Sequence, residues 1–66
     1  MGATKPKIAA LLRTNCRECI NKKCQVRLDQ KDCLYAPATA VCAGCGRQKQ
    51  IVTALTSAGR LKTAFH

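Results

Sequence analysis

Six of the 66 residues are cysteine, and four of them form two Cys-x-x-Cys pairs, Cys16-Arg17-Glu18-Cys19 and Cys42-Ala43-Gly44-Cys45. Thiolates are soft ligands, and a zinc ion takes four of them in a tetrahedron with Zn–S near ~2.3 Å. Two residues between cysteines let one tight turn present both sulfurs to one ion. Two such turns far apart in sequence then close a long loop. The second turn is the better formed: in Cys42-Ala43-Gly44-Cys45-Gly46 the glycines sit where backbone must curl around a thiolate. A positive φ is expected there, with amide N–H groups turned toward sulfur.

Cys24 and Cys33 lie between the pairs and open three groupings. The first choice is one zinc held by Cys16, Cys19, Cys42 and Cys45, which ties both halves of the chain together. A local site of Cys16, Cys19, Cys24 and Cys33 comes next, and a two-zinc cluster sharing all six thiolates is third. The rival chemistry is a secreted, cationic, disulfide-rich peptide, since an even cysteine count in a small basic chain also suits that class. Against it, residues 1–15 hold no apolar run of secretory-signal length, and adjacent Cys-x-x-Cys pairs cross-link a chain poorly. A reducing, cytoplasmic compartment is therefore expected. An iron–sulfur cluster is disfavoured because the tight cysteine run of simple ferredoxins is missing.

Twelve Lys and Arg face three acids, for a formal net charge of +9. A zinc ion with four thiolates contributes about −2, leaving roughly +7. Such a field attracts polyanions, and nucleic acid is the commonest one in a cell. Arg13, Arg17, Lys22, Lys23 and Arg27 fall at helical spacings that would track one phosphate backbone, and Arg47 and Lys49 beside the second turn offer another contact. With Tyr35 and Phe65 the only aromatics, base stacking is poor and weak sequence specificity is expected.

These groups need elements to position them. Pro6 to Arg13 reads as a short helix, with Thr4 as cap, Pro6 in the first turn and Ile8, Leu11 and Leu12 on one face. Asn15 and Glu18 fit a capping box for a second helix beginning at Cys16. Cys16, Cys19, Ile20 and Cys24 then share one side of it. If that helix is continuous, Cys16 and Cys24 are about 12 Å apart along the axis. Two sulfurs on one zinc sit only ~3.8 Å apart, so both can bind one ion only if the helix breaks near Asn21. Residues 35–39 read as loop. Residues 49–55 are β-branched and roughly alternating, Ser57-Ala58-Gly59 signals a turn, and residues 61–65 return as the second strand of a hairpin.

The knuckle Cys42-Ala43-Gly44-Cys45-Gly46 followed by a hairpin resembles the zinc-ribbon and treble-clef superfamily of small zinc modules. That resemblance implies a zinc-stabilised fold in a group that includes ribosomal proteins, transcription factors and adaptor domains. Val26-Arg27-Leu28 and Asp32-Cys33-Leu34-Tyr35, downstream of Cys16-x-x-Cys19, are faintly similar to small cysteine-rich proteins of phage and mobile elements. That likeness implies the local site of Cys16, Cys19, Cys24 and Cys33.

Catalysis finds little support. The one histidine is His66, and Asp29 and Asp32 suit local ion pairs better than an acid/base couple. No thioredoxin-like setting surrounds either Cys-x-x-Cys pair. No run of residues approaches membrane-spanning length, and Pro6 spoils a myristoylation motif. The expectation is a single, non-enzymatic, metal-stabilised α+β domain over residues 6–66 behind a flexible basic tail, residues 1–5. It has one or two N-terminal helices, a zinc knuckle and a C-terminal β-hairpin. It binds one zinc ion, or two in the shared cluster. It meets RNA or DNA through phosphates, within a larger ribonucleoprotein or transcription assembly. The alternative is a zinc-stabilised adaptor or inhibitor that docks on an acidic protein.

Overall fold

So short a chain can enclose only a small apolar core, and the elements here are correspondingly brief. A computed structural model describes residues 6–64. The expected tail 1–5, the cap at Thr4, Phe65 and His66 lie outside the described residues. In chain order the elements are α1 (Ile8–Leu11), α2 (Arg17–Cys24), β1 (Cys33–Tyr35), β2 (Ala40–Val41), β3 (Gln48–Lys49), β4 (Val52–Leu55) and α3 (Ser57–Lys62). A 3₁₀ turn, Gln30–Asp32, leads into β1. Among the described residues no helix is long and apolar enough to cross a membrane.

The main core gathers Ile20 and Cys24 from α2, Val26 and Leu28 from the segment behind it, Cys33 from β1 and Val52 from β4. Ile8, Leu11 and Leu12 close it from the N-terminal side, which is the apolar face expected of the first helix. A smaller cluster of Cys16, Cys42 and Ile51, with Cys19 against it, lies apart. Ile51 and Val52 serve different clusters because successive side chains of an extended chain point to opposite faces.

The backbone between α1 and α2 joins these clusters. Arg13 takes a left-handed conformation, φ 73°, and its N–H donates to the Val52 carbonyl at 2.7 Å. The Val52 N–H donates to the Asn15 carbonyl, Cys16 bridges to Ile51, and the Ala43 N–H donates to the Thr14 carbonyl. Residues 13–16 thus lie between the start of β4 and the Cys42–Cys45 turn.

α2 is continuous across Asn21 and ends at Gln25, which is left-handed with φ 55°. The Asn21 amide accepts from the Leu28 N–H and donates to the Leu28 carbonyl, pinning the returning chain onto the helix. The expected Asn15–Glu18 capping box does not form. The N-cap is Cys16, and its N–H donates to the Cys42 sulfur instead. A capping box does occur at Asp29 and Asp32, around the 3₁₀ turn.

The C-terminal hairpin is also corrected. β4 pairs antiparallel with β1, Cys33 opposite Leu55 and Leu34 opposite Ala54. Ser57-Ala58-Gly59 is the first turn of α3, capped by the Thr56 hydroxyl, which accepts from the Gly59 N–H at 3.2 Å. Lys62 in α3 then reaches back to Asp29 and Asp32 at 3.0 and 2.6 Å. The second antiparallel pair is β2 with β3, Val41 opposite Gln48, and it brackets the Cys42–Cys45 turn rather than following it. The class is α+β, as expected; the hairpin stands at the knuckle.

Candidate metal centre

Two elements meet at the cluster. The start of α2 supplies Cys16 and, one turn on, Cys19; the tip of the β2–β3 hairpin supplies Cys42 and Cys45. The hairpin tip is closed by the Gly46 N–H on the Cys42 carbonyl and the Cys42 N–H on the Arg47 carbonyl, both 2.8 Å. The sulfurs of Cys16, Cys19, Cys42 and Cys45 all lie within 4.8 Å of one another. Cys19 and Cys42 are 3.5 Å apart, well beyond the ~2.05 Å of a disulfide and close to the ~3.8 Å edge of a zinc–thiolate tetrahedron. None of the six cysteines is in a disulfide. The four thiols can hold a metal ion.

The surroundings suit such an ion. The N–H groups of Cys16 and Gly44 donate to the Cys42 sulfur at 3.2 and 3.3 Å. Such N–H to sulfur bonds stabilise thiolate and orient it. Gly44 also leaves room: a Cβ there would lie 2.6 Å from Asn15 Oδ1 and 2.7 Å from the Cys19 sulfur. The positive φ expected of this glycine-rich turn belongs to Gly46 (φ 72°), not to Gly44. Asn15 is buried behind the cluster; its amide donates to Thr14 Oγ1 and the Leu11 carbonyl and accepts from Lys23 Nζ at 3.4 Å.

Titration divides the sulfurs. Burial pushes the Cys42 thiol up, but the N–H groups of Cys16, Cys45 and Gly44 together outweigh it, and its pKa falls to about 6. Cys19 moves the other way, to about 12, through burial and then through the sulfurs of Cys42, Cys16 and Cys45 around it. Crowded thiols cannot all ionise, so the proton shared by this pair stays on Cys19. A divalent cation at the centre removes that conflict by neutralising the sulfurs directly.

Cys24 and Cys33 are placed elsewhere. Both are in the main core, the Cys24 thiol donates to the Pro6 carbonyl at 3.3 Å, and burial raises the Cys33 pKa. With α2 unbroken, neither the local site of Cys16, Cys19, Cys24 and Cys33 nor a six-thiolate cluster is assembled. Among the described residues, the one grouping of ligand type is the first-choice four.

The basic residues do not form the expected single stripe. Arg13 precedes α2 and Arg27 follows its left-handed cap. Arg17 is committed to the fold, its guanidinium donating to the Leu28 carbonyl at 2.9 Å. Lys22, Lys23, Arg47 and Lys49 instead line one groove of about 360 Å³ whose floor includes Cys16, Cys19 and Cys45. Glu18, expected to cap α2, also lines it and pairs with Lys49 at 3.1 Å. That hydrogen bond and charge hold the Glu18 carboxyl below its usual range, helped by Arg17 and Arg47. Arg27 lines a different groove with Asp29 and Lys62. Asp29 and Asp32 do form ion pairs, but with Lys62, 33 and 30 residues away in α3, rather than with the basic residues beside them in sequence.

No family model matches the chain, and comparison with curated proteins and with solved structures finds no match either. Fold and site together define a small α+β chain with a four-cysteine cluster able to hold a metal ion.

Proposed function

We propose that this chain is a zinc-stapled module that binds nucleic acid through its phosphates. One zinc ion held by Cys16, Cys19, Cys42 and Cys45 would be a structural site, because four protein ligands leave no open position for substrate. The donor set supports zinc over a hard cation: four soft thiolates, N–H donors on sulfur and no carboxylate in the group.

The observation that carries the nucleic-acid function is the charge. A chain of +9 sets four cationic side chains from two separate segments around one groove. Phosphate contact needs only such cations, and aromatic stacking platforms are scarce here.

The test is the salt dependence of binding to mixed-sequence RNA and DNA oligonucleotides. Log affinity should fall linearly with log salt, with a slope of about −0.7 to −0.9 per phosphate neutralised. Lys22→Gln with Lys23→Gln should flatten it by about one to two units while metal content is unchanged. No measurable binding at low salt contradicts the proposal and favours the adaptor on an acidic protein.

A further inference from the structure

We propose that the groove between α2 and the Cys42–Cys45 turn seats the phosphodiester backbone of the nucleic acid, and that Glu18 occupies it in the free protein as a stand-in for phosphate. The identity of the polyanion rests on the function proposed above; the location and the stand-in rest on the groove itself.

Four cations border this groove, and Glu18 is its one acid. The Glu18 side chain is 71% exposed, yet it is paired with Lys49 at 3.1 Å, across the groove from α2 to β3. A carboxylate bridging to a lysine in this way offers the same anionic oxygen to the same donor as a phosphate would. Lys22 and Arg47 are exposed at the rim and carry no ion pair among the described residues. The groove is therefore partly neutralised by its own acid, with two cations left over to draw a phosphate in.

The floor adds a second constraint. A metal centre of four thiolates and a divalent ion carries about −2 and repels phosphate. Cations set close around the cluster offset that charge most effectively, and Lys22, Lys23, Arg47 and Lys49 line the groove with Cys16, Cys19 and Cys45. They also come from segments that the cluster itself joins, α2 on one side and the hairpin on the other. Metal occupancy and the phosphate seat are thus built by the same closure. The groove bordered by Arg27 differs: Lys62 beside it already pairs with both Asp29 and Asp32.

An internal competitor predicts a gain of affinity on its removal. Exposed ion pairs are weak, so Glu18→Gln should tighten oligonucleotide binding only modestly, up to about fivefold at low salt. Lys22→Gln with Arg47→Gln should flatten the salt slope by about one to two units, and Arg27→Gln should stay close to the parent. Zinc content and the amide spectrum confirm that each variant is folded. Unchanged or weaker binding by folded Glu18→Gln, or an Arg27→Gln loss equal to that of the groove variants, would overturn the seat while leaving nucleic-acid binding intact. A parallel titration with inorganic tripolyphosphate, read from backbone amide shifts, separates the two ideas. Shifts confined to residues 18–23 and 44–49 without oligonucleotide binding would support the seat and sink the nucleic-acid function. Shifts spread evenly over all basic residues would overturn the seat.

Discussion

Replacing Gly44 with alanine adds one methyl group at a crowded point of the four-cysteine cluster. The new Cβ would lie 2.6 Å from Asn15 Oδ1, 2.7 Å from the Cys19 sulfur and 2.9 Å from the Cys19 Cβ. Comfortable contacts are about 3.5 Å or longer, so each neighbour must retreat by roughly 0.5–1 Å. Neither neighbour yields easily: Asn15 is buried and hydrogen-bonded at both ends of its amide. The Cys19 sulfur is fixed by the metal it would bind. Overpacking of this kind costs about 1–3 kcal/mol, which converts to a loss of about five- to 150-fold in metal affinity. Competition for zinc against a chromogenic chelator measures it, and the visible bands of the cobalt-substituted protein report the distortion. Gly46→Ala is the control. Nothing lies within 4 Å of its Cβ, and its cost is the left-handed φ of 72°, about 1–2 kcal/mol of fold stability with the cobalt bands unshifted. Equal cobalt spectra for both variants, or unchanged zinc affinity in Gly44→Ala, would refute the packing around Cys19.

Cys42→Ser or Cys45→Ser should abolish amide dispersion in a proton NMR spectrum, because metal-binding energy in so small a chain is folding energy. Cys24→Ser should keep the dispersed spectrum and lose only about 1–2 kcal/mol, since it sits in the core and its hydroxyl can still reach the Pro6 carbonyl. The Lys62 hydrogen bond, then the Asp29 N–H, hold the Asp32 carboxyl below its ordinary value of 3.8. Its folded pKa is depressed, so its stabilisation is complete above 3.8 and is lost as pH falls through the folded value. Carbon NMR should show Asp32 titrating below that value, and Lys62→Met should move it up. Lys62 is raised above 10.5 by the same pair, so its share is complete below 10.5 and lost as pH rises through the folded value.

The four-cysteine cluster was legible because ligand spacing is local information. A Cys-x-x-Cys pair declares its own turn, and continuity of one helix sufficed to separate Cys24 from Cys16. Gly44 was legible as important but for another reason: its role is contact with residues 15 and 19, which no local signal encodes. The strands were less legible. Val52–Leu55 reads as a strand, but its partner Cys33–Tyr35 is three residues long and carries no alternation to announce it. Thr56 decided the fate of the C-terminus. Its hydroxyl caps Gly59 and its N–H donates to the Asp32 carbonyl at 3.0 Å, so a segment resembling a turn begins α3. The Asn15–Glu18 box failed because the Asn15 N–H donates to the Leu11 carbonyl and the Asn15 side-chain oxygen accepts from Lys23. That left Glu18 to meet Lys49, a pairing 31 residues apart in sequence and invisible without the fold.

Native mass spectrometry of protein made in a reducing cytosol tests the central claim most directly. The account predicts one zinc ion per chain, lost on acidification, with every cysteine alkylatable after denaturation. A metal-free chain six protons lighter, or a chain carrying two zinc ions, would contradict it.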